Sequence, residues 1–201
     1  MGKAPTDIYK IVLYILMPAM LIMNTGELSA VQINGVYFHD SVTVSGNVMK
    51  IRGAGVLKWL FFNVYAAALY LPPDVSSRDV LEDVPKKMEF HYLSDMKAEQ
   101  FTESGEPLLL KNASADELAQ IREKIDAINI MYRDVKKGER YSLTYMPGKG
   151  TELALNGQVL GRIEGYDFAA VYYRIWLGEN PVDDDLKEML LNNAGRTFSS
   201  K

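Results

Sequence analysis

The sequence predicts an α+β fold, one domain on a mostly antiparallel sheet, and two observations support this. Short segments rich in β-branched and aromatic residues fall towards both ends of the chain from Val31 onward, with helical periodicity between them. The run Leu57 to Leu71 is apolar on both of its alternating residue sets, as in a central strand covered on both faces. A buried helix would give the same run, but the aromatics and the Pro72-Pro73 stop favour a strand.

Taken in order, residues 1–30 read as an address. Lys3 and Lys10 precede the thirteen-residue apolar run Ile11 to Met23, and Leu28-Ser29-Ala30 follows with a small residue at a cleavage position. The run is shorter than the roughly 20 residues that cross a bilayer. The expectation is a secretory signal peptide over 1–30 and a periplasmic mature protein. An uncleaved N-terminal membrane anchor and a buried helix are the alternatives.

Val36 to Phe38, Val42 to Val44 and Val48 to Ile51 are strand segments separated by Asp40-Ser41 and Ser45-Gly46-Asn47. Gly53-Ala54-Gly55 reads as a tight turn ahead of the long strand. Ser77 to Val84 is a short helix ended by Pro85. Met88, Phe90 and Tyr92 alternate with Glu89 and His91, giving a strand with one wet face. Asp95 is placed as N-cap of a helix from Met96 to Ser104, broken by Gly105 and Pro107.

Ser114 and Glu117 have capping-box spacing, and Leu118, Ile121, Ile125, Ile128 and Tyr132 form one apolar stripe after them. Tyr141, Leu143 and Tyr145 make a strand up to the Pro147-Gly148 turn, and Asn156-Gly157 marks a two-residue hairpin. Tyr166 to Leu177 is helical with Gly178 just past its end, and Asp183 caps a last helix bearing Leu186, Met189 and Leu190. The domain runs over 31–193, followed by a tail at 194–201.

The chain has 201 residues, 22 Lys and Arg, 26 Asp and Glu and a net charge of −4, which argues against a nucleic-acid partner. With no cysteine, thiol nucleophiles, Cys-ligated zinc and iron–sulfur clusters are excluded, and only His39 and His91 supply imidazole. Gly53-Ala54-Gly55 lacks the third glycine of a dinucleotide loop, and Pro147-Gly148-Lys149-Gly150-Thr151 lacks the helix of a phosphate loop. Asp183-Asp184-Asp185 suits a helix start better than a metal site, and no Gly-x-Ser-x-Gly elbow is present. No cofactor or metal is expected. Arg52, Lys58 and Tyr65 lie in or beside an apolar strand, where a polar side chain must reach solvent or a partner. They mark either a snorkelling lysine with a backbone-bonded tyrosine, or an anion or phenolate site at the end of an apolar cavity.

The stretch Ile51-Arg52-Gly53-Ala54-Gly55, followed by Phe61 to Leu71, resembles the hallmark strand of the chalcone isomerase-like family. The tail through Gly165-Tyr166-Asp167-Phe168 and Ile175 to Val182 resembles its bacterial secreted branch. The resemblance spans roughly residues 31–191. It implies an open-faced sandwich, a large antiparallel sheet with a layer of helices on one face. It also implies a choice among chalcone cyclisation, fatty-acid binding and no known activity. The enzymes carry an arginine two residues after the Gly-x-Gly, where this chain has Leu57, and threonines where it has Tyr65 and Ile175. Their helical tyrosine and asparagine fall near Gln100 and Pro107. Loss of the guanidinium and two hydrogen-bonding groups argues against cyclisation, because charge stabilisation is usually the largest catalytic term.

The expected function is therefore a secreted, non-catalytic binder of a small apolar or amphipathic ligand, fatty-acid-like or phenolic. Tyr65, Lys58, Arg52, Gln100 and Ile175 are the candidate ligand-binding residues, and membrane contact is expected only through an uncleaved signal segment. The rivals are an isomerase or lyase acting on a phenolic substrate with Lys58 as electrophile, and an envelope interaction module whose pocket is filled. A cavity beside Tyr65 would favour the first two over the third.

Overall fold

The computed structural model describes residues 30–192; the expected signal segment and tail lie outside them. Seven antiparallel strands follow one another across a single sheet in sequence order: β3 (Ser41–Val44), β4 (Asn47–Trp59), β5 (Phe62–Leu71), β6 (Lys86–Tyr92), β7 (Arg140–Met146), β8 (Gly150–Leu155) and β9 (Gln158–Ile163). A hairpin of β1 (Ala30–Ile33) and β2 (Val36–His39) forms a second, two-stranded sheet. Helices α1 (Ala98–Asn112), α2 (Ala115–Met131), α3 (Tyr166–Tyr172), α4 (Arg174–Leu177) and α5 (Asp184–Asn192) pack on one face of the large sheet. This is the expected α+β open-faced sandwich.

The alternation expected of the long apolar run holds along β5. Tyr65, Ala67, Leu69 and Leu71 join the helix-side core, whereas Ala66, Ala68 and Tyr70 join a smaller core with Ile33, Val36 and Phe38 of the β1–β2 hairpin. That hairpin is held by Tyr70, whose hydroxyl donates to the His39 carbonyl at 2.9 Å, and by Arg140, which donates to the Tyr37 carbonyl and stacks on the Phe38 ring. Glu89 and His91 are therefore half-buried beside this layer rather than on a freely wet face.

Several local signals fold as read. Ser114 accepts from the Glu117 amide while the Glu117 carboxylate accepts from Ser114, closing the capping box of α2. Asp183 accepts from the Leu186 amide and caps α5. Asn156 and Gly157 take φ of 51° and 81°, the signs a type I′ hairpin requires.

Other elements differ from expectation, each because of packing at long range. The run Leu57 to Leu71 is not one strand: the chain reverses at Leu60-Phe61, pairing Trp59 with Phe62. No turn residue signals this reversal, and Leu60 itself sits at φ +53°. Gly53-Ala54-Gly55 is not a turn but the middle of β4, lying under α5. A Cβ on Gly53 would come within 2.1 Å of the Met189 carbonyl oxygen, and one on Gly55 within 2.9 Å of Met189 Cβ. The glycines are required by this close approach of a helix.

The expected helix at Ser77 to Val84 is a single 3₁₀ turn, Ser77–Asp79. Helix α1 starts at Ala98 and continues through Gly105 and Pro107 to Asn112. Its first turn is capped from afar by Asp134, which accepts from the Ala98 amide, while Asp95 instead accepts from Lys136 and the Lys137 amide. The segment Tyr166 to Leu177 breaks into α3 and α4 at Tyr173, whose buried hydroxyl donates to the Leu143 carbonyl at 3.0 Å.

At the start of β6, Lys86 is fully buried. Its ammonium donates to the Glu82 carbonyl at 2.7 Å and lies 4.7 Å from the Tyr145 ring, with the Tyr166 and Tyr173 rings also close. Desolvation lowers its pKa to about 8, against the opposing pull of Asp83 and Glu82.

Two outcomes follow for stability. Gly53→Ala should cost several kcal/mol (about 2–4), since neither backbone can yield without detaching α5; an unchanged denaturation midpoint would mean that α5 is not seated there. For Lys86, the folded state binds the proton less tightly than the unfolded one. The penalty is full below about pH 8 and fades towards the ordinary lysine range. Wild-type stability relative to Lys86→Met should therefore rise by about 1–2 kcal/mol between pH 7 and pH 9.5 in urea denaturation.

Candidate functional site

One cavity of about 680 Å³ lies between the sheet and the helices. Its floor comes from three neighbouring strands and the helices above them: Leu57 on β4, Val64 and Tyr65 on β5, Phe90 and Tyr92 on β6, Tyr132 just past α2, Tyr172 on α3, and Ile175 and Trp176 on α4. Trp59, Glu103, Pro107 and Lys111 line it as exposed residues and so form its mouth, along one flank of α1 and the end of β4.

The local geometry of β5 sets this floor. Leu57 pairs with Tyr65 and Lys58 with Asn63, so Val64 is the extra residue of a β-bulge. Strict alternation would put Val64 and Tyr65 on opposite faces; the bulge lets both line the cavity. On the facing strand, alternation continues undisturbed: Leu57 and Trp59 line the cavity, and Lys58 between them is exposed. The bulge therefore does not turn Lys58 inwards.

The interior is an aromatic box. Tyr65 meets Phe90 and Tyr92 edge-on at 5.3 and 5.7 Å, Phe101 stacks on Tyr132 at 4.6 Å, and Trp176 lies 5.0 Å from Phe90. Its polar groups are phenols. The Trp176 indole N–H donates to the Tyr65 hydroxyl at 3.0 Å, leaving the Tyr65 proton directed to no acceptor among the described residues. Tyr132 and Tyr172 share a hydrogen bond of 2.8 Å.

Burial raises the pKa of Tyr65, Tyr92 and Tyr132, and pushes that of Tyr172 up to about 12. All four stay neutral near pH 7; Tyr65 accepts from Trp176, and one of Tyr132 and Tyr172 donates to the other. Among the described residues, Lys111 at the mouth is the one lysine of the lining, and no arginine or histidine lines the cavity.

Of the five residues expected to bind ligand, the fold brings three together. Tyr65 and Ile175 are on the buried floor, and Gln100 is at the rim, where its side-chain carbonyl is already taken by the Lys97 amide. Arg52 does not line the cavity: it donates to the Val75 carbonyl at 2.6 Å, tying β4 to the loop after β5, and its Nε is buried without a partner among the described residues. Lys58, as described, points elsewhere. The five positions singled out through the family resemblance, Leu57, Tyr65, Gln100, Pro107 and Ile175, all line this one cavity.

Sequence reasoning did not identify Tyr92, Phe101, Tyr132, Tyr172 or Trp176 as site residues. The alternation of Met88, Phe90 and Tyr92, and the stripe ending at Tyr132, placed two of them on buried faces. That is indistinguishable from ordinary core until the cavity is seen.

The family model described as chalcone isomerase-like matches residues 30–192, so the chain belongs to that family. Among solved structures, the crystal structure of a fatty-acid binding protein from Arabidopsis thaliana has the same fold. Its TM-score is 0.66 at 18% identity, over 83% of this chain and 97% of that one. No curated protein matches the sequence.

Proposed function

We propose that this member of the chalcone isomerase-like family binds a small, largely apolar ligand without transforming it. The single observation that carries the reading is the cavity beside Tyr65. Its volume of about 680 Å³ lies inside the usual range for small-molecule sites, and its floor is apolar apart from neutral phenols. A module with a filled pocket would lack that space. The structural neighbour is itself a fatty-acid binding protein, which fits the same reading.

The chemistry of the lining favours binding over catalysis. Cyclising a phenolic substrate requires a group that stabilises a developing oxyanion, and a cation there is worth several orders of magnitude in rate. Leu57 occupies the position where the family's enzymes carry arginine, and the nitrogen nearest the Tyr65 oxygen is a neutral indole donor. Lys58 is exposed away from the cavity and is not placed to act as an electrophile. The free Tyr65 proton suits a carbonyl, hydroxyl or ether oxygen on the ligand. A carboxylate head would be more favourably placed at the mouth, near Lys111, than in the uncharged floor.

We also propose that the protein acts outside the cytoplasm after removal of residues 1–30, on the strength of the basic start, the apolar run and Leu28-Ser29-Ala30. N-terminal sequencing of protein recovered from cells should begin at Val31, and an intact Met1 would overturn export with cleavage.

Calorimetric titration with dodecanoic acid and with a hydroxychalcone tests the binding reading. At least one should bind. Ile175→Trp, which fills the floor, should abolish most of the affinity with the thermal midpoint retained. Tyr65→Phe should weaken binding of an oxygen-bearing ligand by roughly three- to tenfold, the worth of one hydrogen bond. Chalcone should cyclise at the buffer rate with wild type and faster with Leu57→Arg. Absence of binding by both ligands, or wild-type cyclisation that disappears in Lys58→Ala, would overturn the proposal.

A further inference from the structure

Beyond the cavity itself, the protein carries an exposed apolar feature of which only Trp59 also lines the pocket. Trp59, Leu60, Phe61 and Phe62 form the tip of the β4–β5 hairpin and are 71%, 78%, 96% and 70% exposed. Four consecutive large apolar side chains in water are a liability unless something covers them. A tight turn ordinarily takes Gly, Asn or Asp, yet here Leu60 occupies the positive-φ position. A turn chosen for its conformation alone would have a different sequence.

We infer that the Trp59–Phe62 tip inserts into the interfacial region of an anionic lipid bilayer, setting the mouth of the cavity against the membrane so that an apolar ligand passes between the two. Residue chemistry supports this occupant. Trp and Phe favour the headgroup–acyl boundary, and the Trp59–Phe62 pairing means that the inserted end is a closed hairpin rather than an open strand edge.

Charge supports it as well. Although the whole chain carries −4, the segment around the tip, Val56 through Tyr65, contains Lys58 and no acid. Lys58 is exposed beside the tip, where it would meet anionic headgroups. The mouth adds one base, Lys111, and one acid, Glu103, and leaves that balance unchanged. Continuity with the site completes the case: Trp59 belongs both to the exposed tip and to the cavity lining. An apolar ligand entering past Trp59 would avoid crossing bulk water. The inference extends the binding reading, but the tip's affinity for lipid can be measured without a ligand.

The test is partitioning onto vesicles of phosphatidylcholine, alone or mixed with an equal part of phosphatidylglycerol, followed by sedimentation. Wild type should bind the anionic vesicles, and Leu60→Ser/Phe61→Ser should bind at least about tenfold less with an unchanged thermal midpoint. Lys58→Gln should bind less only where phosphatidylglycerol is present. Brominated lipids should quench wild-type fluorescence but not that of Trp59→Phe, whose remaining tryptophan is Trp176 on the cavity floor.

Equal partitioning of wild type and the double variant would overturn the inference, since contact would then run through another part of the chain, such as Ile11 to Met23. A lipid-free dimer that the double variant abolishes, with no vesicle binding, would assign the tip to a second copy instead and overturn it too. Dodecanoic acid binding measured without vesicles should be the same in wild type and the double variant. If that binding is absent while vesicle binding depends on the tip, the cavity reading fails and the membrane reading stands.

Discussion

The architecture depends on burying β5 on both of its faces. Ala66, Ala67, Ala68, Leu69, Tyr70 and Leu71 are all essentially inaccessible, so a single layer of helices cannot satisfy this strand. The helices cover one residue set, and the β1–β2 hairpin is recruited to cover the other. Alanines at successive positions keep the strand thin enough for layers to approach from both sides. On the adjacent strand, Gly53 and Gly55 let α5 approach to backbone distance.

The same strand makes the site. At its buried end, regular alternation gives a packed core. At the other end, the bulge at Val64 brings two successive side chains to the helix side, and the lining aromatics meet edge to face around a void rather than closing it. Burial fixes the character of the polar groups there. Removing a phenol from water disfavours its charged form, so the cavity presents neutral donors held in place by neighbours such as the Trp176 indole. Such a lining suits recognition of an uncharged oxygen and gives little help to a developing anion.

Charge is managed in the same way elsewhere. Arg52 and Lys86, two bases in largely apolar surroundings, are each tied to a backbone carbonyl in the segment joining β5 to β6. Lys86 adds three tyrosine rings to that anchor, which offset part of its desolvation. Their role is to fasten this connection to the sheet. A basic residue beside an apolar strand is thus as readily a structural tie as a ligand contact, and Arg52 makes such a tie to the Val75 carbonyl.

What the sequence by itself determined is what short-range physics controls. The Ser114–Glu117 box, the Asp183 cap and the Asn156-Gly157 turn each depend on a few neighbouring residues, and the period-two pattern of β5 assigns its two faces whatever covers them. The family motifs likewise singled out positions 57, 65, 100, 107 and 175 before their meeting place was visible. Only the tertiary structure decided that Leu60-Phe61 reverses the chain, that α1 runs on through Pro107, that Gly53-Ala54-Gly55 lies flat under α5, and that Lys58 faces away from the cavity. The first three of these outcomes turn on strand pairing, the Asp134 cap and the Met189 backbone. Lys58 keeps its outward face because alternation along β4 is undisturbed while the bulge falls on β5. Local propensity is weak enough for such contacts to override it, and a cavity has no local signature because it is the space that distant segments leave between them.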